Sequence, residues 1–223
     1  MKEANVFNLD VDTRVDKAII EEMDIYINKL VNGFIEVGLE ATFQLHLSGI
    51  LDDLLQIHTY EIDERFQVAL EKNMPINGNK NYVDIVIKYT KNTTERLHLF
   101  ELKYKKESDG APDNGIIYSY IDMCNLDYHK VNTPKVKGCY FIFLTDSFVY
   151  TKNPRPSTTR AQLPMHHGAM INSGFNYNVS GNSAKSIMGT YMTTGFEFSN
   201  SHSIQYQKFS IKNKEFWFFK EKI

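Results

Sequence analysis

The chain has few cysteines and no long apolar run. Its 223 residues include only Cys124 and Cys139, in segments that read as a helix and a buried strand, without a CxxC pair. A disulfide scaffold and a zinc ribbon are therefore excluded, and we expect two buried thiols in a reducing compartment. No stretch approaches the roughly 18 apolar residues of a membrane span, and the mixed-charge N-terminus lacks a secretory apolar region. We expect a cytoplasmic protein without a membrane partner.

The sequence also lacks a charge excess and the common nucleotide or hydrolase motifs. Its 25 basic and 27 acidic residues leave a formal net charge of -2, which excludes a polybasic coat and an acidic tail. No GxSxG, no GxxxxGK[ST] and no GxGxxG after a strand is present, so hydrolase-elbow, P-loop and dinucleotide-binding folds lack support. Any polyanionic ligand must be bound by local basic patches.

What is present is an ordered series of helix and strand patterns, with enough hydrophobic residues, 42%, for one compact domain. Helical signals run from about residue 16 to 58, with a break at Asn32-Gly33. Alternating patterns predict strands at about 65–73, 82–89 and 96–104, a helix at 114–130 capped by Asp113 or Asn114, and a strand at 138–146. The last strand, GCYFIFLTD, is apolar enough to be buried on both faces and central. We predict a mixed α/β fold whose loop- and strand-rich C-terminal part ends in a hairpin.

The hairpin of the second and third strands brings three charged residues together. If it closes at residues 90–95, facing positions add up to about 185, which places Asp84 opposite Glu101. Their Cβ atoms would be about 5 Å apart, and two carboxylates so close repel each other unless a cation lies between them. Mg²⁺ or Mn²⁺, which prefer oxygen ligands, would fit. Lys103 projects from the same face as Glu101, where its ammonium could orient a water or offset phosphate charge.

A fourth candidate is Glu40, on the helix before the sheet. Phe43, Leu47, Ile50 and Leu54 form an apolar stripe at helical spacing, which reaches Glu40 one step earlier. A carboxylate on a buried helix face costs several kcal/mol unless it is paired or bound to metal. Two alternatives stay open: Glu36, one turn earlier, takes that position, or Glu40 lies at a helix end and reaches water.

These segments resemble the PD-(D/E)XK nuclease superfamily, which includes many restriction endonucleases. The matching pieces are LEATFQLHL with Glu40, YVDIVI with Asp84, and FELKYKK with Glu101 and Lys103, within about residues 31–150. The proline often found before the aspartate is replaced by Val83, at a position that varies in the superfamily. The resemblance implies a restriction endonuclease-like core, which with the N-terminal helices we expect to occupy residues 1–150. Residues 151–223, which the resemblance does not cover, are expected to form a C-terminal elaboration of the same domain that contacts the substrate. It further implies that Asp84, Glu101 and the Leu102 carbonyl bind the metal, and that Glu40 assists a water or a second ion.

The expected function is a Mg²⁺- or Mn²⁺-dependent endonuclease that hydrolyses phosphodiester bonds, in double-stranded DNA, as a type II restriction enzyme or another defence or repair nuclease. Four basic residues are candidates for nucleic-acid contact, although a solvated rim is equally compatible: Lys105, Lys106, Arg155 and Arg160. A homodimer would be natural for a symmetric DNA site. An RNA-directed nuclease of the same fold and a non-catalytic nuclease-like binding module remain alternatives. Asp122 on the predicted second core helix receives no role, because helix-surface carboxylates are common.

Overall fold

A computed structural model describes residues 10–110, 112–156, 158–179 and 195–223, with the backbone alone at Thr159. The helices are α1 (Val11–Val31), α2 (Glu40–Ile57), α3 (Pro112–Asn132) and the short α4 (Thr159–Gln162). The strands are β1 (Glu64–Asn73), β2 (Tyr82–Lys91), β3 (Thr94–Lys105), β4 (Val136–Thr145), β5 (Met170–Ile171), β6 (His202–Ser203), β7 (Gln207–Ile211) and β8 (Lys214–Lys222). Every helix and strand predicted up to residue 146 is confirmed, within a few residues at each end.

The first two helices begin and end where their local chemistry dictates. The Asp10 side chain caps α1 by accepting the backbone N–H groups of Asp12 and Thr13. The helix ends at the predicted break, where Gly33 adopts φ +73°. In α2 the buried stripe consists of Phe43, Leu47, Leu51 and Leu55. Ile50 and Leu54 of the predicted stripe are partly buried and pack against the same core cluster from its edge.

Six strands form one mixed sheet in the order β1-β2-β3-β4-β8-β7. β3 and β4 are parallel and are joined by α3, whereas the other neighbours are antiparallel. β4 is central, as predicted, and the C-terminal hairpin of β7 and β8 extends the same sheet. This confirms the mixed α/β class with flanking helices. The predicted cap of α3 was wrong, because the helix begins at Pro112 and both Asp113 and Asn114 lie in its first turn.

The two faces of the sheet bury separate hydrophobic clusters. On one face, α1 and α2 cover side chains such as Ile85, Ile87 and Phe100. On the other, α3 and the C-terminal segments cover a cluster that includes Leu99 and Phe143. Both cysteines are free and buried, as expected. In the described ranges, no helix has the length and apolar character needed to cross a bilayer.

Candidate active site

The candidate site lies where β2 and β3 separate. Their pairing register is the predicted one, but the ladder ends at Ile85 and Phe100, one position before Asp84 and Glu101. There the Asp84 carboxylate accepts the Leu102 backbone N–H at 2.7 Å, and the Gln44 side chain donates to the Asp84 carbonyl at 2.6 Å. The predicted register is therefore confirmed up to this point, but backbone pairing does not extend to Asp84 and Glu101 themselves. Side-chain hydrogen bonds take its place, and this break in the ladder is the gap between the strands.

Asp84 and Glu101 nevertheless bring their carboxyl groups together in this gap. Glu101 is 4% exposed, and its carboxyl lies close enough to that of Asp84 for each group to shift the pKa of the other. Burial raises the pKa of Asp84 to about 6, although the nearby Lys103 charge opposes this. Burial, with the charges of Asp122 and Asp84, raises the pKa of Glu101 well above its usual range. Two buried acids with raised pKa values favour a positive charge between them, either a proton or a metal cation.

Lys103 lies beside the acid pair with its ammonium group held by carboxylates. Its Nζ is 2.6 Å from Asp122 Oδ2 on α3 and 3.6 Å from Glu40 Oε1 on α2. Burial disfavours the charged amine, but the charges of Asp122, Glu40 and Asp84 outweigh burial and raise the pKa of Lys103. Lys103 is therefore a permanent buried cation next to two acids.

Asp122 is the site residue that sequence reasoning left out. It lies on the stripe of α3 that also contains the buried residues Gly115, Ser119 and Leu126. Those positions recur at intervals of three and four, so the stripe marks the helix face that packs on the sheet. A carboxylate on that stripe requires a partner, which is the signal that could have identified Asp122.

Glu40 faces the site from the start of α2 but is not buried. Its side chain is 38% exposed, and Oε2 accepts the Tyr104 backbone N–H at 2.9 Å. The expectation of a carboxylate on a buried face was wrong, and the alternative of a helix end that reaches water is the observed one, because Glu40 is the first residue of α2. Glu36, the competing candidate, lies in the exposed connection before α2, with Oε1 3.5 Å from Lys212 Nζ. Of the two, only Glu40 contacts Lys103.

The four candidate nucleic-acid contacts have different surroundings. Lys105 is nearest the site, with Nζ 4.0 Å from Glu40 Oε2, and Lys106 faces Asp109 at the same distance. Arg155 is exposed on the loop before α4. Arg160 instead donates to the Asp113 side chain at 3.1 Å and to the Val149 carbonyl at 2.9 Å. These bonds give Arg160 a role in fixing α4 against α3.

The residues present fit a hard divalent cation with few protein ligands. Among the residues described, no three His, Cys, Asp or Glu side chains are grouped to hold an ion. The two further acids nearby, Asp122 and Glu40, face the Lys103 ammonium instead. Mg²⁺ commonly binds one or two carboxylates and keeps several waters. Asp84 and Glu101 supply such a pair, and their raised pKa values show that their surroundings favour added positive charge.

No protein-family model, curated protein or solved structure matches this chain.

Proposed function

We propose that the chain is a metal-dependent nuclease with a restriction endonuclease-like core. The observation that carries the proposal is the meeting of Asp84 and Glu101 at the strand gap, with the charged Lys103 beside them. A purely structural role for two adjacent buried acids is unfavourable, because burial penalises the charge of both. Perturbed acids beside a fixed cation are typical of catalytic sites.

In this proposal Asp84 and Glu101, with the Leu102 carbonyl, would hold Mg²⁺ or Mn²⁺. The bound ion would supply Lewis acidity and lower the pKa of a coordinated water. Both carboxyl groups would have to be ionised to hold the ion, so metal binding should weaken as pH falls below the Asp84 pKa of about 6. Lys103, kept charged by its carboxylate neighbours, would stabilise the negative charge that develops on the phosphate.

Two carboxylates complete the proposed site by positioning other groups. Asp122 holds the Lys103 ammonium at 2.6 Å, and is therefore a positioning residue. Glu40, half-exposed at the solvent side of Lys103, could accept a hydrogen bond from an attacking water. Lys105 lies two residues after Lys103 in β3 and near Glu40, where it could contact the phosphate backbone of the substrate. The family resemblance favours DNA as the substrate. If the recognised duplex site is symmetric, the chain would act on it as a homodimer.

The test is cleavage by the purified chain. Plasmid, single-stranded DNA and RNA are incubated with Mg²⁺, Mn²⁺ or EDTA, and each substrate identifies one of the alternatives. We expect metal-dependent cutting that falls at least about 100-fold in Asp84→Asn and in Lys103→Met, the effect of removing one preorganised charge. Melting temperatures establish that both variants fold.

Glu95→Gln is the matched control. Glu95 lies in the same strand as Glu101 but forms ion pairs at the opposite end of the hairpin, so its substitution should leave cleavage unchanged. Absence of cleavage of every substrate, or equal cleavage by wild type and the two folded site variants, would contradict the hydrolase proposal. A folded wild type that binds nucleic acid without cutting it would identify a binding module instead.

A further inference from the structure

A second cluster of aromatic and basic side chains lies at the same end of the sheet. Phe148, just after β4, stacks on Trp217 of β8 with ring centroids 5.4 Å apart and planes 22° apart. The Lys152 ammonium lies 4.2 Å above the Phe148 ring, and the Lys208 ammonium 5.8 Å from the Trp217 ring centroid. The Phe148 residue is 50% exposed, whereas Trp217 is largely covered. An accessible aromatic surface is therefore flanked by two positive charges.

The cluster borders a cavity of about 320 Å³. It is lined by Phe148, Thr151, His167, Tyr206, Lys208 and Trp217. The backbone around it is fixed, because the His167 ring accepts the Tyr206 N–H at 3.1 Å and the His167 N–H donates to the Thr151 carbonyl. The volume suits one small planar ligand, such as a single base.

Strand register connects this cavity to the candidate active site. Lys105 pairs with Thr145, Thr145 with Trp217, and Trp217 with Lys208, so these four residues form one row across the sheet. Lys103 is on the same face, two residues earlier in β3. Two strand spacings and two residues give a backbone separation of about 12 Å between Lys103 and Trp217. That distance corresponds to about three or four nucleotides of a stacked strand.

We propose that this cavity binds one unpaired nucleotide of the nucleic acid that enters the active site. Its base stacks on the exposed Phe148 ring, and its flanking phosphates meet the Lys208 and Lys152 ammonium groups. Lys152 leaves the ring when the base arrives and moves to the phosphate. The position of this nucleotide relative to the cleaved phosphodiester bond rests on the proposed function, whereas the stacking of its base does not.

An unpaired nucleotide fits this cavity better than a duplex does. A base in a duplex has both faces covered by its neighbours, so it cannot stack on a side chain until it leaves the helix. Aromatic surfaces combined with basic groups are the recurring means of binding single strands without reading their sequence. The ligand class is therefore a single-stranded segment, a flap or a flipped nucleotide, and the ring does not distinguish DNA from RNA.

Binding is measured in EDTA, so that no cleavage is needed. The probes are fluorescein-labelled single strands of DNA and RNA of about 12 nucleotides and the duplex of the same DNA sequence. Trp217 is the sole tryptophan of the chain, so its emission reports on the cavity. We expect single strands to bind more tightly than the duplex and to change the Trp217 emission.

Variants separate stacking from general charge attraction. Phe148→Ala should weaken single-strand binding about tenfold or more, and Phe148→Tyr should restore it. Phe34→Ala removes an even more exposed ring, 79%, from the connection on the α1–α2 side of the sheet and should have no effect. Lys208→Gln should lower the salt dependence of binding by about one phosphate contact, unlike Lys137→Gln at the far end of β4.

Equal affinity for single strands and duplex, or unchanged single-strand affinity in folded Phe148→Ala, would overturn the inference. Stacking without cleavage by the wild type would refute only the proposed function. Metal-dependent cleavage with no effect of Phe148→Ala on binding would refute only the stacking site.

Discussion

The two ends of the β2–β3 hairpin carry the same kinds of charged residue in opposite electrostatic states. Near the turn, Glu95 lies 2.8 Å from Lys88 and 2.9 Å from Lys135, and hydrogen bonds from Lys135 and then Lys88 lower its pKa to about 2. At the open end, on the same face of the same strand, burial raises the pKa of Glu101 well above its usual range. The lysines keep one glutamate ionised, whereas the surroundings of the other favour its protonated form.

The difference between the two ends comes from water and from the partner of each acid. Near the turn the ladder is closed and Glu95 faces two lysines. The Glu95 and Lys88 side chains remain about one-third exposed. At the open end the strands separate and Glu101 faces another acid, while the nearest cation, Lys103, is engaged by Asp122 and Glu40. An ion pair near the surface contributes little, whereas an unbalanced buried acid pair has a strong affinity for a proton or a metal.

The largest expected effect comes from removing the acid at the open end. Glu101→Gln should reduce cleavage at least about 1,000-fold, which corresponds to about 4 kcal/mol. In metal-free buffer at pH 8 the same variant should be more stable than wild type by about 1–2 kcal/mol. The acids keep their proton at higher pH in the folded chain, so their contribution to stability declines as pH rises through the Asp84 pKa of about 6. Urea unfolding at pH 5 and 8 measures the stability of the variant, and parallel assays measure its cleavage. A variant that is inactive and also less stable than wild type at both pH values would contradict the idea that burial of Glu101 is unfavourable.

A buried acid outside the site should lower the free energy of unfolding at neutral pH without contributing to cleavage. Glu22 of α1 is fully buried, and neither of its carboxylate oxygens has a hydrogen-bond partner among the described residues. Burial raises its pKa to about 9, against the weaker effect of the Lys220 charge. Glu22 keeps its proton up to about pH 9 when folded but loses it near 4.5 when unfolded, so its stabilising contribution is complete below pH 4.5 and is lost as pH rises through 9.

Glu22→Met should therefore stabilise the chain by about 2 kcal/mol at pH 7 and flatten the decline of stability between pH 5 and 9. Denaturant unfolding across that range is the measurement. Cleavage by Glu22→Met should equal that of wild type, in contrast to Glu101→Gln. A variant that is less stable at pH 7 would show that the carboxylate has a partner that compensates for its burial.

The smallest effect is expected near the turn. Glu95→Gln removes the charge that pairs with Lys88 and Lys135 at the surface. It should lower stability by no more than about 0.5 kcal/mol, a difference that disappears at high salt. Thermal unfolding at low and high ionic strength checks this. A loss above 2 kcal/mol would mean that the two hairpin ends do not differ in the way their surroundings indicate.

Much of the fold and part of the site follow from local pattern. The alternation in β2 and β3 and the polar turn between them were sufficient to predict the register that aligns Asp84 with Glu101. The role of Asp122 was not predicted, because a helical pattern tells which face is buried but not which strand residue that face meets. The strand gap also escaped prediction, since it depends on Gln44 reaching the Asp84 carbonyl from another element.

By itself, the sequence determined the helices, the strands, the pairing of the hairpin and the side of the sheet on which Glu101 and Lys103 lie, because periodicity and turn chemistry act over a few residues. Only the tertiary structure decided how deeply the two acids are buried, which carboxylates hold Lys103, and that Phe148 meets Trp217 beside two lysines. Those properties depend on contacts between distant segments and on the exclusion of water, which no local pattern specifies.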